Sequence, residues 1–339
     1  MLKKCCLAGL VFMTILTTLL LWNEYYLVNN SRRGARRKGR GRKAKIGKVG
    51  KIPIIPGKPL ASKKEYDQVK SFVLFIGYPR SGHTLVSTLI EAHPNAIIAN
   101  EFDLIGKWQN WKPQNQNKYF LFDQFHKNSH MEAQRGYRTK SGNALFSFYV
   151  SGQFQGKVQG KLKIIGAKKG GRTTKLMTKK KRMKTIETIM ATVNVPFKFL
   201  HVVRNPYDNI ATMLLRTKKM RLNMKPDFKL NDSETLDSEI LKYFNLASRN
   251  QYLAKKYAKS LLEIQNTDLI RRPKEMLKKM CKFLGLTCSQ KYLDDCVKII
   301  FKKPSHTRNN VVWTVEQKRR IKQAMKRYSF LKRFSFDSD

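Results

Sequence analysis

The chain has 339 residues, 41% of them hydrophobic, and a formal net charge of +46 from 69 Lys plus Arg against 23 Asp plus Glu. That apolar fraction over that length supports a sizeable core and excludes a chain disordered throughout, while allowing one large domain or two small ones. The charge requires any partner held by electrostatics to be anionic, without choosing among nucleic acid, acidic lipid, polyanionic sugar and nucleotide.

In chain order, residues 7–22 (LAGLVFMTILTTLLLW) carry no charge and follow Lys3 and Lys4. With Cys5 and Cys6 the uncharged stretch reaches 18 residues, near the lower limit of ~17 for a spanning helix. No A-x-A-like cleavage site follows before Asn23, so a cytosolic tail at 1–6 and an uncleaved transmembrane signal anchor at 7–22 are expected. Cys5 and Cys6 are candidates for palmitoylation or for simple burial in the membrane. Orientation is contested. Eleven basic residues at 32–51 outweigh the two lysines before the anchor, which by charge alone leaves the C-terminal bulk cytosolic. The sequons at Asn29 and Asn231 argue for a lumen, and Asn231 is the glycosylation candidate.

Removing those eleven charges and the net +1 of residues 1–31 leaves +34 on residues 52–339, so the folded part is itself basic. Residues 23–70, with the basic run followed by Pro53, Pro56 and Pro59, read as a stem that either attaches to anionic sugar or lipid or serves as a solvated spacer. Arg33-Gly34-Ala35-Arg36 resembles a dibasic processing site, which would release a secreted form.

From Ser71 the texture changes. The run FVLFIG at 72–77 predicts a buried strand, followed by a glycine-containing turn and a helical pattern, LVSTLIEAH. Further buried strands are predicted at 164–167 and 199–203, with helical patterns at 185–192, 206–221, 234–258 and 273–284, the last opened by Pro273 and closed by Gly285. The alternation predicts an α/β fold with a central parallel sheet flanked by helices, over residues 71–335.

The strongest local signal is Gly77-Tyr78-Pro79-Arg80-Ser81-Gly82-His83-Thr84-Leu85, between the first strand and the first helix. Backbone N–H groups at a helix start, a cation and hydroxyl donors suit a phosphate. A Walker A loop would need a lysine where His83 stands, so ATP or GTP hydrolysis loses support. Later comes Arg204-Asn205-Pro206-Tyr207-Asp208, with Thr212 eight residues after the arginine. An arginine at a strand's end and a hydroxyl two helical turns on can clamp one dianionic phosphate, though an ion pair of Arg204 with Asp208 is the bland alternative.

These stretches resemble the P-loop sulfotransferases, whose loop reads like PRSGTTL and whose later motif reads RxPxDxxxS. The match departs at His83, which replaces the first of two threonines, and keeps a hydroxyl at Thr212. Two further stretches resemble the family, LLEIQNTDLIRRPKEMLKKMCKFLGL at 261–286 and KPSHTRNNVVW at 303–313. The resemblance covers roughly residues 72–335 and implies a P-loop-type three-layer sandwich. It also implies a 3′-phosphoadenosine 5′-phosphosulfate (PAPS) co-substrate and a type II Golgi membrane protein with a luminal catalytic domain. On it, Arg80, Ser81, Gly82, His83, Thr84 and Leu85 would hold the 5′-phosphosulfate, and Arg204 and Thr212, joined by Ser305, Thr307 and Arg308, the 3′-phosphate. Ala92-His93-Pro94 leading to Glu101 resembles the stretch carrying the base of tyrosylprotein sulfotransferases, so Glu101 is the expected base. Lys168 resembles that family's lysine on the transferring group, although an acidic residue and a proline are expected next and Lys169, Gly170 and Gly171 stand there. His93 and His201 are read as structural.

No metal is required for such an in-line transfer, in which Arg80 and Lys168 would stabilise charge on the bridging oxygen. In an oxidising lumen one disulfide is expected among Cys281, Cys288 and Cys296, with Cys288–Cys296 the first choice and three reduced core cysteines the alternative. The expected partners are PAPS, the membrane through the anchor, an anionic glycan or acidic protein acceptor, and a second copy in a homodimer, with no nucleic acid. A basic nucleic-acid-binding protein and a P-loop small-molecule kinase stay open as alternatives.

Overall fold

The computed structural model describes residues 60–134, 148–220 and 227–338. The expected tail, anchor and most of the stem lie outside them. Among the described residues no helix is long and apolar enough to cross a membrane.

The chain enters through helix α1 (Lys63–Asp67), nucleated by a capping box in which Ser62 Oγ accepts from the Glu65 N–H and Glu65 returns the bond to the Ser62 N–H. Tyr66 buries its ring edge-on against Phe122. The folded unit therefore begins inside the stretch expected to be stem. Strand β1 (Ser71–Gly77) leads into α2 (His83–Glu91), β2 (Ala96–Asn100), α3 (Leu104–Trp108) and α4 (Lys118–Gln134). Then come β3 (Ile164–Lys168), α5 (Gly171–Met177), α6 (Lys180–Val193), β4 (Phe197–Val203), α7 (Pro206–Thr217) and α8 (Ser233–Lys256). Strand β5 (Leu261–Gln265) precedes α9 (Asn266–Arg271), α10 (Pro273–Leu284), α11 (Gln290–Lys298) and α12 (Val315–Met325).

The five strands form one sheet in the order β2-β3-β1-β4-β5, every pairing parallel. Strand residues alternate between two apolar cores, as the period of two requires. Phe72, Leu74 and Ile76 face one core with Phe122 of α4 and Ile186 of α6. Val73 and Phe75 face the other with Leu89 of α2, Leu277 of α10 and Leu293 of α11. Helices thus cover both faces, the expected three-layer arrangement. Because all five strands run the same way, the C-terminal ends of β1, β3 and β4 open onto one edge, where parallel sheets place their ligands.

The disulfide differs from the expected Cys288–Cys296. Cys281 pairs with Cys288, their Cα atoms 6.2 Å apart, and Cys296 is a buried free thiol. The cause is local. α10 ends in Gly285 at φ 75°, where Leu286 N–H bonds back to the Cys281 carbonyl, so the chain reverses and brings residue 288 alongside the last turn of α10. Cys296 lies on α11 facing α2, its Sγ 4.0 Å from the Leu89 carbonyl.

Candidate active site

The turn from β1 to α2 is held open by its surroundings. Gly77 sits at φ 127°, and a Cβ there would meet the Val202 carbonyl at 3.1 Å. The Gly77 N–H donates to Thr174 Oγ1 at 2.9 Å, and Asn209 Nδ2 donates to the Pro79 carbonyl at 2.8 Å. At Gly82, φ 95°, a Cβ would come within 2.5 Å of Asn266 Nδ2 at the start of α9. Arg80 itself lies in the left-handed region at φ 68°, a cost of order 1–3 kcal/mol that surrounding structure must impose. The turn delivers the chain to α2, whose first N–H groups, at His83, Thr84 and Leu85, have no partner within the helix. Leu85 is buried in the core, so only its backbone serves the turn.

His83 is fixed rather than free to swing. Its Nδ1 lies 3.1 Å from the Tyr78 carbonyl, and its ring lies where a Cβ on Gly170 would stand, 2.6 Å from Cε1. Burial and the Lys168 ammonium push its pKa down to about 3, so the imidazole is neutral and Nδ1 is the donor to Tyr78.

Lys168, at the end of β3, is 1% exposed. Its ammonium donates to Thr84 Oγ1 at 3.0 Å and makes a short ion pair with Glu101 Oε1. Glu101, just beyond β2 and also left-handed at φ 50°, is 30% exposed and takes a second cation, Lys169, 3.1 Å from Oε2. Burial alone would raise the Glu101 pKa, but Lys168 and Lys169 outweigh it and hold the carboxyl far below the usual range. The three expected catalytic groups therefore converge on the β1–α2 turn, with Lys168 bridging to Glu101 and the turn itself.

Along the same edge of the sheet Arg204 follows the end of β4. Its NH1 donates to Thr212 Oγ1 at 3.0 Å and to the Arg80 carbonyl at 3.4 Å, and its NH2 to Thr307 Oγ1 at 2.9 Å and the Ser305 carbonyl at 3.0 Å. Four expected anion contacts meet here, and the Arg80 carbonyl joins this group to the turn. Arg308 has a different post. It is 4% exposed and ion-pairs with Asp208 on α7 at 3.2 Å, while its N–H donates to the same carboxylate at 2.9 Å. Asp208 thus pins the segment carrying Ser305 and Thr307 through Arg308.

Several contributors escaped sequence reasoning. Asn266 follows the C-terminal end of β5, a position that topology alone nominates. Lys169, Thr174 and Asn209 carry no such flag. Among the described residues no group of three or more His, Cys, Asp or Glu side chains could hold a metal ion.

A search of curated protein sequences finds no match. Among solved structures, sulfotransferase STF9 from Mycobacterium avium superposes with a TM-score of 0.44 at 10% identity, covering 82% of this chain and 81% of that one. Mouse sulfotransferase SULT7A1, complexed with PAP, gives 0.40 at 15% identity, with 78% and 87% covered. The sulfotransferase domain of a Synechococcus olefin synthase gives 0.39 at 15% identity, with 67% and 77% covered. The profile described as Sulfotransferase family matches residues 73–290, well over half of the chain and spanning the turn, Glu101, Lys168, Arg204 and Thr212. With that match laid over the site just described, the chain belongs to the sulfotransferase family.

Proposed function

We propose that the protein transfers a sulfuryl group from PAPS to a hydroxyl of a glycan or a protein tyrosine, in the Golgi lumen and on an N-terminal membrane anchor. The observation that carries the reading is the pair of cationic clusters joined at Arg80, one built on the β1–α2 turn with Lys168 and one on Arg204 with Thr212 and Thr307. Their residues fit a bisphosphorylated adenosine: the glycine turn leaves room that a Cβ would fill, and both clusters present charge-assisted donors. PAPS, when bound, supplies the activated sulfuryl group.

Within this reading Arg80, Ser81, Thr84 and the first N–H groups of α2 bind the 5′ end, with neutral His83 filling the wall beside them. Arg204, Thr212, Ser305 and Thr307 bind the 3′-phosphate, and Arg308 holds their segment in place. Glu101 accepts the proton of the attacking hydroxyl. Its carboxylate is a weak base while Lys168 and Lys169 hold it, so Lys168 must turn toward the transferring group to restore its basicity. The same turn places the ammonium where charge develops on the bridging oxygen. The Cys281–Cys288 disulfide and the exposed sequon at Asn231 support an oxidising lumen.

Thermal denaturation with saturating 3′-phosphoadenosine 5′-phosphate and, separately, with ATP tests the cofactor assignment. Stabilisation by the bisphosphate alone, lost in Arg204→Ala, is the expected result. Equal stabilisation by ATP would return the chain to the kinase reading.

A further inference from the structure

Helices α6 and α8 enclose a surface groove of about 540 Å³ that takes no part in the site above. One wall carries Lys180 and Lys184, a single helical turn apart and both exposed. The other carries Arg249, whose NH1 donates to Thr178 Oγ1 at 2.6 Å, an anchor that uses one of five guanidinium donors. The floor is apolar. Tyr252 is 48% exposed, with its hydroxyl 4.0 Å from the Met183 sulfur. Glu187 is the one acid among the lining residues, and Lys256 already neutralises it at 3.5 Å.

Folding does not account for this charge. The first turn of α6 holds Lys180, Lys181 and Arg182 after Lys179 at the cap, with no acidic residue and no side-chain cap. Cations at that end oppose the helix dipole at roughly 0.3–1 kcal/mol each. A partner that repays the cost must bring spaced negative charge on flat apolar bodies. A sugar ring offers a C–H face to Tyr252 while its sulfate ester, charged at every working pH, projects to the flanking cations. The groove is also close to the chemistry. α5 spans it: Gly171, at its start, packs by Pro79 of the anion-binding turn, and Thr178, just past its end, lines the groove. Seven residue steps along the helix separate the two, about 10 Å.

We propose that the α6–α8 groove is an exosite for a sulfated glycan chain, holding a stretch of acceptor that already carries sulfate esters while a further hydroxyl is presented at Glu101. The proposal rests on the sulfotransfer reading and narrows its acceptor to a glycan that is sulfated more than once.

The test is direct binding to the full chain, which needs no turnover. The probes are a fluorescent, fully sulfated glycosaminoglycan decasaccharide, its unsulfated counterpart, a polyglutamate peptide and a single-stranded oligonucleotide. Lys180→Glu with Lys184→Glu should weaken the sulfated decasaccharide about tenfold, or about 1.4 kcal/mol. Lys278→Glu with Lys282→Glu, an equal charge change at exposed positions of α10, which packs on the other core from α6, should alter it by less than about twofold. Tyr252→Ala should weaken the sulfated sugar and leave polyglutamate unaffected. Equal losses in the two charge-reversal pairs, or no loss in the groove pair, would overturn the exosite in favour of diffuse attraction or the basic stem. Tighter, groove-dependent binding of the peptide or the oligonucleotide would overturn it in favour of that partner. Affinity for 3′-phosphoadenosine 5′-phosphate is measured on the same samples and should be identical in the groove pair. Its absence from the unsubstituted chain would defeat the PAPS reading while leaving the groove result to stand on its own.

Discussion

Glu101 and Lys168 restrain each other. A carboxylate held far below its usual pKa by two ammonium groups is fully charged and almost without basicity, and the more buried ammonium is the one hydrogen-bonded to Thr84 at the β1–α2 turn. Replacing Glu101 with Gln removes the proposed base while keeping the shape, and turnover should fall by ~10² or more with little change in affinity for the nucleotide. If Glu101→Gln retained near-normal turnover, the base would have to be sought elsewhere. His83 and Gly170 form a second pair. Each departs from the pattern that the sequence otherwise resembles, and they touch, because the imidazole occupies the space that a side chain at residue 170 would need. Gly170→Ala should lower kcat/KM at least tenfold, and His83→Thr added to it should recover part of the loss, a coupling of about 1–2 kcal/mol. Recovery stays partial because Gly170 lies at φ 47°, ψ −120°, which alanine resists. A double variant no better than the single one would show that the two departures are unrelated.

At the scale of elements, the C-terminal segment is tied to α7 by one buried ion pair. Arg308→Ala leaves the Asp208 carboxylate in the interior without this partner, for which a loss of about 3–5 kcal/mol is expected. Because that segment carries Ser305 and Thr307, KM for PAPS should rise more than that for the acceptor. Paired measurements of urea midpoint and KM check this, and an Arg308→Ala protein of ordinary nucleotide affinity would dissociate the tether from the site. Three of the five strands are legible in the sequence because both their faces are buried, which makes them short and largely apolar. β1, β3 and β4 were placed to within two residues at either end. The 17-residue α4 was not legible, since its buried side includes Asp123, Gln124, His126, Lys127, Asn128 and Ser129, which erase the apolar stripe that marks a helix. The same divide runs through the site. The β1–α2 turn and the Arg204–Thr212 stretch are local in sequence and could be read, whereas Lys168 with Glu101, 67 residues apart, and Arg308 with Asp208, 100 apart, exist only once the sheet is assembled. The expected Cys288–Cys296 pair fails because α11 turns Cys296 into the core.

Across the whole molecule, histidine burial sets the response to acid. Four histidines in separate places have their pKa pushed down, with desolvation as the first cause in each: His83 beside Lys168, to about 3, His201 in the middle of β4, also to about 3, His126 on α4, to about 4, and His93, buried against the Thr287 carbonyl, by a smaller step. The groups around them do not reverse this. Asp123 and Glu65 pull His126 upward and Glu101 pulls His83 upward, yet the net direction is down in both, while Glu263 stands 4.0 Å from His201. An unfolded histidine titrates near 6.5. Below that pH the unfolded chain takes up protons that the folded one refuses, so stability falls as pH falls, from about 6.5 down through the folded values. At pH 5 each such histidine withdraws at most about 2 kcal/mol. The lowered carboxyls of Glu101 and Asp295 add to the loss only near and below their ordinary range, and Glu263, which burial raises, offsets a little of it. The loss between pH 6.5 and 5 therefore belongs to the histidines. Urea midpoints at pH 7.5, 6.0 and 5.0 should decline steadily, and His201→Phe, placed against the ring of Phe330, should flatten the decline by about a quarter to a third whatever its effect at pH 7.5. A midpoint constant or rising over this interval would mean that these imidazoles are charged or solvated in the native state. A variant with an unchanged slope would remove His201 from the account.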